Sequence, residues 1–236
     1  MPVTRVLLRV LWPLLLPAAA ALTLPAQAPP ATYPRMAPAA QYMIGNRAAE
    51  IALARSAAPA SISGQAEVMV LGTRGFEVAA PGSNKFVCLV ERSWDAAMGD
   101  PNFWNPHIRG PDCFNPAAVQ SYLPIILLKT RLALAGRSQA EIAAALTAAF
   151  RQGKLPPLAA GAMSYMLSRR AYVDDHARNW HPHVMFFLPL ALARSWAAGS
   201  PGSPLLAGDD PTDRLTIVMI PVARWSDGTP DVHAAH

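Results

Sequence analysis

Two histidines separated by one residue form the sharpest chemical pattern in the sequence. His181 and His183 flank Pro182, and residues two apart on a β-strand point to the same face. Both imidazoles could therefore bind one divalent metal ion, with Asp175 as the third ligand. Other candidates for that third position are Asp174, His176 and His107. The alternatives are one functional histidine without a metal, or, as we favour, a structural His183 beside an exposed His181.

Cys88 and Cys113 are the two cysteines of the chain. In an oxidising compartment such a pair usually forms a disulfide, and a closed loop of about 26 residues is worth about 3.5 kcal/mol in the chain-entropy model. We therefore predict a Cys88–Cys113 bridge that fastens the irregular segment 94–115 to the third strand. Two separate buried thiols, or metal or redox chemistry, are the alternatives.

The segment between the cysteines carries aromatic rings and a cation. These are Trp94, Phe103, Trp104, His107 and Arg109. On a loop held by a disulfide, Trp94, Trp104, His107 and Arg109 could line a small-ligand or partner site together with His183. The alternative, which we favour, is that the rings form the small core that a loop of this length needs.

Other reactive side chains give weaker signals. Ser164 lacks the G-x-S-x-G surroundings of a nucleophile elbow and is predicted to lie inside a strand. Glu91 and Arg92 end the third strand and could bind a charged ligand, although an ion pair at a sheet edge is the commoner arrangement. The chain has no Walker loop, no G-x-G-x-x-G and no calcium loop, which excludes nucleotide chemistry. We predict no cofactor beyond the metal of the two-histidine hypothesis.

The N-terminus has the pattern of a secretory signal peptide. Arg5 and Arg9 precede an uncharged apolar stretch, Val10–Leu24, and a cleavage-site motif of small residues, which ends at Ala28, follows it. We predict a signal peptide at residues 1–28, cleaved between 20 and 28, and no stable membrane span afterwards. The signal peptide is followed by a Pro- and Ala-rich extended segment (29–37) and a single domain (38–228). The chain then ends in a polar tail (229–236), which contains His233 and His236 and is expected to be frayed and inert.

Composition narrows the possible partners. The 236-residue chain is 15% charged and 52% hydrophobic with a net charge of +5, which excludes a disordered polyelectrolyte and a coiled coil. Loss of Arg5 and Arg9 with the signal peptide lowers that charge to +3. The remaining basic residues are scattered, so we predict no nucleic-acid partner. An unknown small molecule or an envelope protein is the expected partner.

The periodicity predicts one α+β domain. A helix is expected at 38–57, and a three-stranded antiparallel meander within 66–93. Asn115 and Pro116 predict the start of a helix that runs to 135 and is kinked or broken at Pro124. The capping box Ser138–Glu141 predicts the start of a second helix, which ends near 153. Further strands are expected at 162–168, 183–188 and 215–222. The fold class is therefore α+β, a mainly antiparallel sheet of about six strands with helices packed on one side.

Three short sequence segments are similar to segments of known proteins: Phe86–Val90 (FVCLV), Gly161–Ser168 (GAMSYMLS) and Pro182–Phe186 (PHVMF). Together they resemble a group of uncharacterised exported bacterial proteins, and the likeness covers most of residues 60–225. The resemblance implies export to the periplasm or beyond and a single domain, and it carries over no catalytic residue.

These observations lead to three hypotheses about function. The first is an exported cell-envelope protein that binds a small ligand or partner between its sheet and the disulfide-held loop. The second is a metal-dependent hydrolase built on His181 and His183, with a metal-bound water as the nucleophile. The third is a structural envelope protein without a ligand.

Overall fold

The computed structural model describes residues 33–190 and 192–232. The strands are β1 (Glu67–Gly72), β2 (Gly75–Ala80), β3 (Val87–Glu91), β4 (Gly110–Phe114), β5 (Met163–Met166), β6 (His183–Pro189), β7 (Leu206–Asp210) and β8 (Leu215–Pro221). They form one sheet in the order β2-β1-β3-β4-β5-β6-β8-β7. The predicted α+β class with a mainly antiparallel sheet is confirmed, although the described residues contain eight strands rather than six.

The helices begin and end where local capping signals stand. They are α1 (Arg47–Arg55), α2 (Ala60–Ser63), α3 (Pro116–Ser121), α4 (Leu123–Leu134) and α5 (Gln139–Arg151). The Asn115 side chain caps α3, Pro124 lies at the break between α3 and α4, and Ser138 with Glu141 forms the capping box of α5, all as predicted. These signals work because each acts within a few residues of the chain.

The predicted single helix over 38–57 is wrong. Only a 3-10 turn, Ala39–Tyr42, and α1 are helical in this range. The Asn46 side chain accepts a hydrogen bond from the Ala49 amide at 3.0 Å and so starts a new helix at Arg47. The apolar spacing is the same on both sides of the interruption, which is why periodicity did not reveal it.

The predicted three-stranded meander is also wrong, because β3 does not pair with β2. β1 and β2 form the expected antiparallel hairpin, but β3 runs parallel to β1 on its other side. The connection 81–86 crosses the start of β1, where the Ser83 amide donates to the Gln65 carbonyl and the Glu67 amide to the Phe86 carbonyl. Gly82 permits this crossing, since a Cβ there would lie 2.0 Å from the Glu67 nitrogen.

The segment 94–115 is less irregular than predicted, because it ends in β4. This strand pairs antiparallel with β3 and places Cys113 directly opposite Cys88. Pro111 and Asp112 disfavour a strand by propensity. Pro111 is tolerated where β4 has a partner strand on one side only, because pairing with β5 begins at Cys113.

Helices lie on both faces of the sheet, which corrects the predicted one-sided packing. Cys88 and Val90 of β3 pack with Ala54 of α1, whereas Val87 and Leu89 belong to the core on the side of α3, α4 and α5. β3 is therefore buried on both faces. Its apolar run does not alternate with polar residues, so the sequence could not show which face was covered.

The C-terminal strands are partly as predicted. β5 and β8 lie within the expected ranges, and β6 extends one residue beyond its range, to Pro189. β7 was not predicted, because its sequence, Leu206–Asp210, has little apolar alternation. The prediction of a frayed tail is wrong for its first residues. The Asp231 amide donates to the Ala223 carbonyl, and the Asp231 side chain is buried.

Two predictions fall on residues outside the described ranges. These are the signal peptide at 1–28, with most of the extended segment that follows it, and the tail histidines His233 and His236. Across the described residues, no helix combines the length and the apolar character that crossing a membrane requires.

Candidate functional site

A cavity of about 180 Å³ lies between the sheet and the loop that joins β3 to β4, in the place predicted for a ligand site. We call it the sheet–loop cavity. Its polar lining consists of Glu91, Arg92, Ser93, Asp95, Asp100 and Asn102. Its apolar lining includes Ile108, Tyr122, Met166, Val173, Met185 and Ile217. The composition is therefore that of a site for a small molecule with a polar head and an apolar body.

β3 and β4 bring the carboxylates to this place. Glu91 is the last residue of β3 and pairs with Gly110 of β4, while Asp112 pairs with Leu89 and so lies on the same face. An added Cβ on Gly110 would lie 3.2 Å from Met166 Cε and 3.9 Å from Glu91 Oε2. The glycine therefore leaves space for the Met166 methyl group, whereas a Cβ would make only an ordinary van der Waals contact with the Glu91 carboxylate.

Two buried polar atoms in the cavity lining have no partner within the described part of the chain. One Asp95 carboxylate oxygen, Oδ2, accepts a hydrogen bond from the Arg92 amide at 2.9 Å, but Oδ1 accepts none. The Ser93 hydroxyl is also buried and makes no hydrogen bond. Because unsatisfied buried polar atoms are costly and rare, both point to a ligand or water in the cavity.

Burial raises the pKa of each of the three carboxyls near the cavity. The pKa of Asp112 rises to about 8, although its carboxylate accepts hydrogen bonds from the Cys113 amide and the Ser164 hydroxyl. Burial likewise raises the pKa of Asp95 to about 7. Burial, with the negative charges of Asp112 and Asp95, raises the pKa of Glu91 well above its ordinary value.

The two buried cations nearby already have carboxylate partners. Lys129 Nζ in α4 lies 2.6 Å from Asp213 Oδ2 and 3.8 Å from Asp210 Oδ2. The Arg92 guanidinium lies 2.8 Å from Glu50 Oε1. Neither cation therefore neutralises Glu91, Asp95 and Asp112 fully, and the cavity has an excess of carboxyl groups.

Such an excess allows two kinds of chemistry. Carboxyls that retain their protons near neutral pH can donate hydrogen bonds or act as general acids. Alternatively, a cationic ligand can enter and allow them to ionise, since a buried charge needs a partner of opposite sign.

The predicted ligand-binding residues do not line this cavity. Trp94 and Trp104 are buried in the main core, where Trp94 Nε1 donates to the Thr130 hydroxyl at 3.1 Å. The Arg109 guanidinium donates to the backbone carbonyls of Pro106, Ile108 and Gln41. His107 is 62% exposed on the loop surface. The tryptophan rings therefore belong to the main core of the protein and not to a separate small core of the loop.

The predicted metal ligands are engaged by other partners, although the His181 and His183 rings both contact Trp180. His181 Nδ1 contacts Asp231 at 2.6 Å, and His183 Nδ1 contacts the His181 carbonyl at 2.7 Å. The Asp175 carboxylate instead accepts hydrogen bonds from the hydroxyls of Tyr33 and Tyr172. No group of three or more His, Cys, Asp or Glu side chains among the described residues is arranged to hold a metal ion.

The disulfide prediction is confirmed. Cys88 and Cys113 are bonded and fully buried on the α1 side of the sheet. Ser164 lies within β5, as expected, and its hydroxyl donates to Asp112 at 3.1 Å. The bridge therefore joins β3 and β4, the two strands that carry Glu91 and Asp112.

Sequence reasoning noted Glu91 but missed Asp95 and Asp112. The expected edge ion pair between Glu91 and Arg92 is not formed, because Arg92 is buried against Glu50. Asp112 precedes Cys113, and its place beside Glu91 follows only from the pairing of β4 with β3. Comparison of the chain with protein-family models, with curated proteins and with solved structures found no match.

Proposed function

We propose that the protein binds a small organic cation, an ammonium group on a short apolar body, in the sheet–loop cavity. The observation that carries the proposal is the excess of carboxyls, with half-buried Glu91 and buried Asp95 in the lining and buried Asp112 beside them on β4, whose nearest cations are already paired. An ammonium ion would donate hydrogen bonds to the unpaired Asp95 Oδ1 and to the Glu91 carboxylate.

The apolar wall supports the second half of the proposal. Ile108, Met166, Val173 and Met185 line the cavity together with the carboxyl groups. A volume of about 180 Å³ corresponds to about six water molecules at about 30 Å³ each, which suits a molecule of a few carbon atoms.

We also propose that the protein acts outside the reducing cytosol, as an exported envelope protein. The buried Cys88–Cys113 bridge supports this location, because such bonds persist chiefly in oxidising compartments. The basic and apolar N-terminal sequence supports it as well.

Binding of matched four-carbon probes tests the cation proposal. We expect n-butylamine at about pH 8 to raise the melting temperature and to give a calorimetric binding isotherm, because at that pH it is protonated and the carboxyls can ionise on binding. Neither n-butanol nor butyrate, which have the same chain without the positive charge, should bind.

Two variants complete the test. Glu91→Gln should abolish amine binding while retaining the fold, because glutamine has the same shape without the charge. Glu67→Gln, a control in β1 outside the cavity lining, should bind as the parent does. Equal binding of butanol, unchanged binding by Glu91→Gln, or no binding of any short amine would contradict the proposal.

A further inference from the structure

A second pocket, of about 480 Å³, lies between the segment before β6 and the C-terminal segment. We call it the indole pocket. Its side chains include Trp180, Trp225, His181, Asp231, Asn179 and Arg169. It shares no lining residue with the sheet–loop cavity, so it is a separate site.

Hydrogen bonds to backbone carbonyls hold both walls in place. The C-terminal wall is a turn in which the Trp225 amide donates to the Thr229 carbonyl and the Asp231 amide to the Ala223 carbonyl. On the opposite wall, the Asn179 side-chain amide donates to the Arg169 carbonyl at 3.1 Å. The pocket is therefore preformed, which lowers the entropic cost of binding.

A buried carboxylate orients the histidine of the pocket. Asp231 Oδ2 lies 2.6 Å from His181 Nδ1, and the Asp231 side chain is 1% exposed whereas that of His181 is 32% exposed. Because the carboxylate accepts a hydrogen bond, Nδ1 carries the proton, and Nε2 is the ring nitrogen left to meet a ligand.

The pocket also holds a cation, Arg169, whose charge adds to the hydrogen bonds from Thr229 in lowering the pKa of Asp227. The exposed Arg169 side chain donates to the Thr229 hydroxyl at 3.3 Å, and it makes no salt bridge within residues 33–190 and 192–232. A guanidinium matches the two oxygens of a carboxylate in geometry and charge. The two partly exposed indoles offer flat apolar surfaces at the same place.

We infer that the indole pocket binds a sugar that carries a carboxylate. The indole faces cover the C–H face of the sugar ring, and Arg169 pairs with the carboxylate. His181 Nε2 bonds to a sugar hydroxyl, and the Asn179 side chain, which bonds to the backbone of Arg169 and Trp180, shapes the wall. This combination of aromatic surface, a hydroxyl partner and one fixed cation fits a uronic acid better than a neutral sugar or a purely aromatic acid.

Calorimetric titration of the intact protein with glucuronate, galacturonate and mannuronate tests this inference. We expect at least one of them to bind at least tenfold more tightly than glucose, and benzoate to bind at least tenfold more weakly than that uronate. A nuclear magnetic resonance signal of the His181 ring should shift on binding, which a merely structural histidine would not show. Equal affinity for glucose, preference for benzoate, or no binding of any of the three uronates would overturn the inference.

Matched variants locate the site. Arg169→Gln should weaken uronate binding at least tenfold, whereas Arg170→Gln, an equally exposed neighbour outside the pocket lining, should leave it unchanged. Trp225→Ala should abolish binding, and Trp196→Ala, an exposed tryptophan elsewhere, should not. Glu91→Gln should bind uronate normally, so failure of the amine proposal is distinguishable from failure of this one. Unchanged affinity in both Arg169→Gln and Trp225→Ala would place the sugar elsewhere and contradict the inference.

Discussion

The sheet–loop cavity and the indole pocket place charge in opposite ways. Half-buried Glu91 and buried Asp95 line the cavity, buried Asp112 lies on the neighbouring strand, and burial raises the pKa values of all three. In the pocket, Arg169 is exposed, and only Asp231 is withdrawn from solvent beside its histidine. The first arrangement links ligand binding to the stability of the whole fold, whereas the second allows recognition with little effect on stability.

Substitution of the buried lysine next to the cavity is expected to have the largest effect on stability. Lys129→Met leaves Asp213 and Asp210 without their cation, and breaking a buried pair in this way costs about 3–5 kcal/mol of unfolding free energy. Urea unfolding followed by circular dichroism measures the loss. Lys154→Met at an exposed position is the control and should change stability by less than about 0.5 kcal/mol.

The disulfide provides the next largest effect. Replacing Cys88 and Cys113 together by alanine should lower the unfolding free energy by about 3.5 kcal/mol, because the unfolded chain then regains the freedom of a loop with a sequence separation of 25. For a domain of this size, that loss lowers the melting temperature by about 7–14 °C. A melting temperature that stays within about 2 °C would show that the paired strands need no covalent link.

The pH dependence of stability tests the raised carboxyl pKa values. The pKa values of Asp213, Asp95 and Asp112 rise from an ordinary 3.8 to about 6, 7 and 8 in the folded protein. The folded state then binds more protons than the unfolded state, so the stability from these groups is complete below about pH 4 and is lost as pH rises through those values. Without ligand, the melting temperature should fall between about pH 5 and about pH 8.5.

The pH dependence of the melting temperature should differ between the parent and Glu91→Gln. Because this variant removes one of the coupled acids, it should melt higher than the parent at about pH 8.5 and show a shallower fall with pH. Glu67→Gln should follow the parent curve. If the melting temperature of the parent is constant or rises over this pH range, the carboxyls ionise without a cost in stability. The cavity and the indole pocket would then not differ in how their charges affect stability.

The smallest expected effect belongs to the indole pocket. Arg169→Gln should change the unfolding free energy by less than about 0.5 kcal/mol, because an exposed guanidinium with one hydroxyl partner contributes little to stability. Chemical denaturation beside the parent measures this. A loss above about 1 kcal/mol would indicate that Arg169 supports the C-terminal turn instead of serving a ligand.

The features that could be predicted from sequence depend on neighbouring residues. The caps at Asn115 and Ser138 and the helix break at Pro124 each act within about one turn of helix. The cysteine pair was predictable for a different reason, since two cysteines allow only one intramolecular bridge. Glu91 was noted as a candidate because it ends an apolar strand.

The two candidate sites could not be predicted from neighbouring residues in the sequence. Glu91 and Asp112 are neighbours only because β4 pairs with β3, and β4 was hidden by Pro111. Asp231 was assigned to an inert tail, and its contact with His181 spans 50 residues of sequence. Each of these contacts joins distant parts of the chain, and periodicity contains no information about which distant parts meet.

The amino-acid sequence by itself determined the α+β class, the starts of the helices after Asn115 and Ser138, and the Cys88–Cys113 pair. The tertiary structure decided that β3 lies beside β1 and β4, that helices cover both faces, and that the histidines take separate partners. The reason is physical: caps and turns gain their energy from bonds within a few residues. Strand order and buried carboxyl clusters depend on which surfaces pack together once the whole chain has folded.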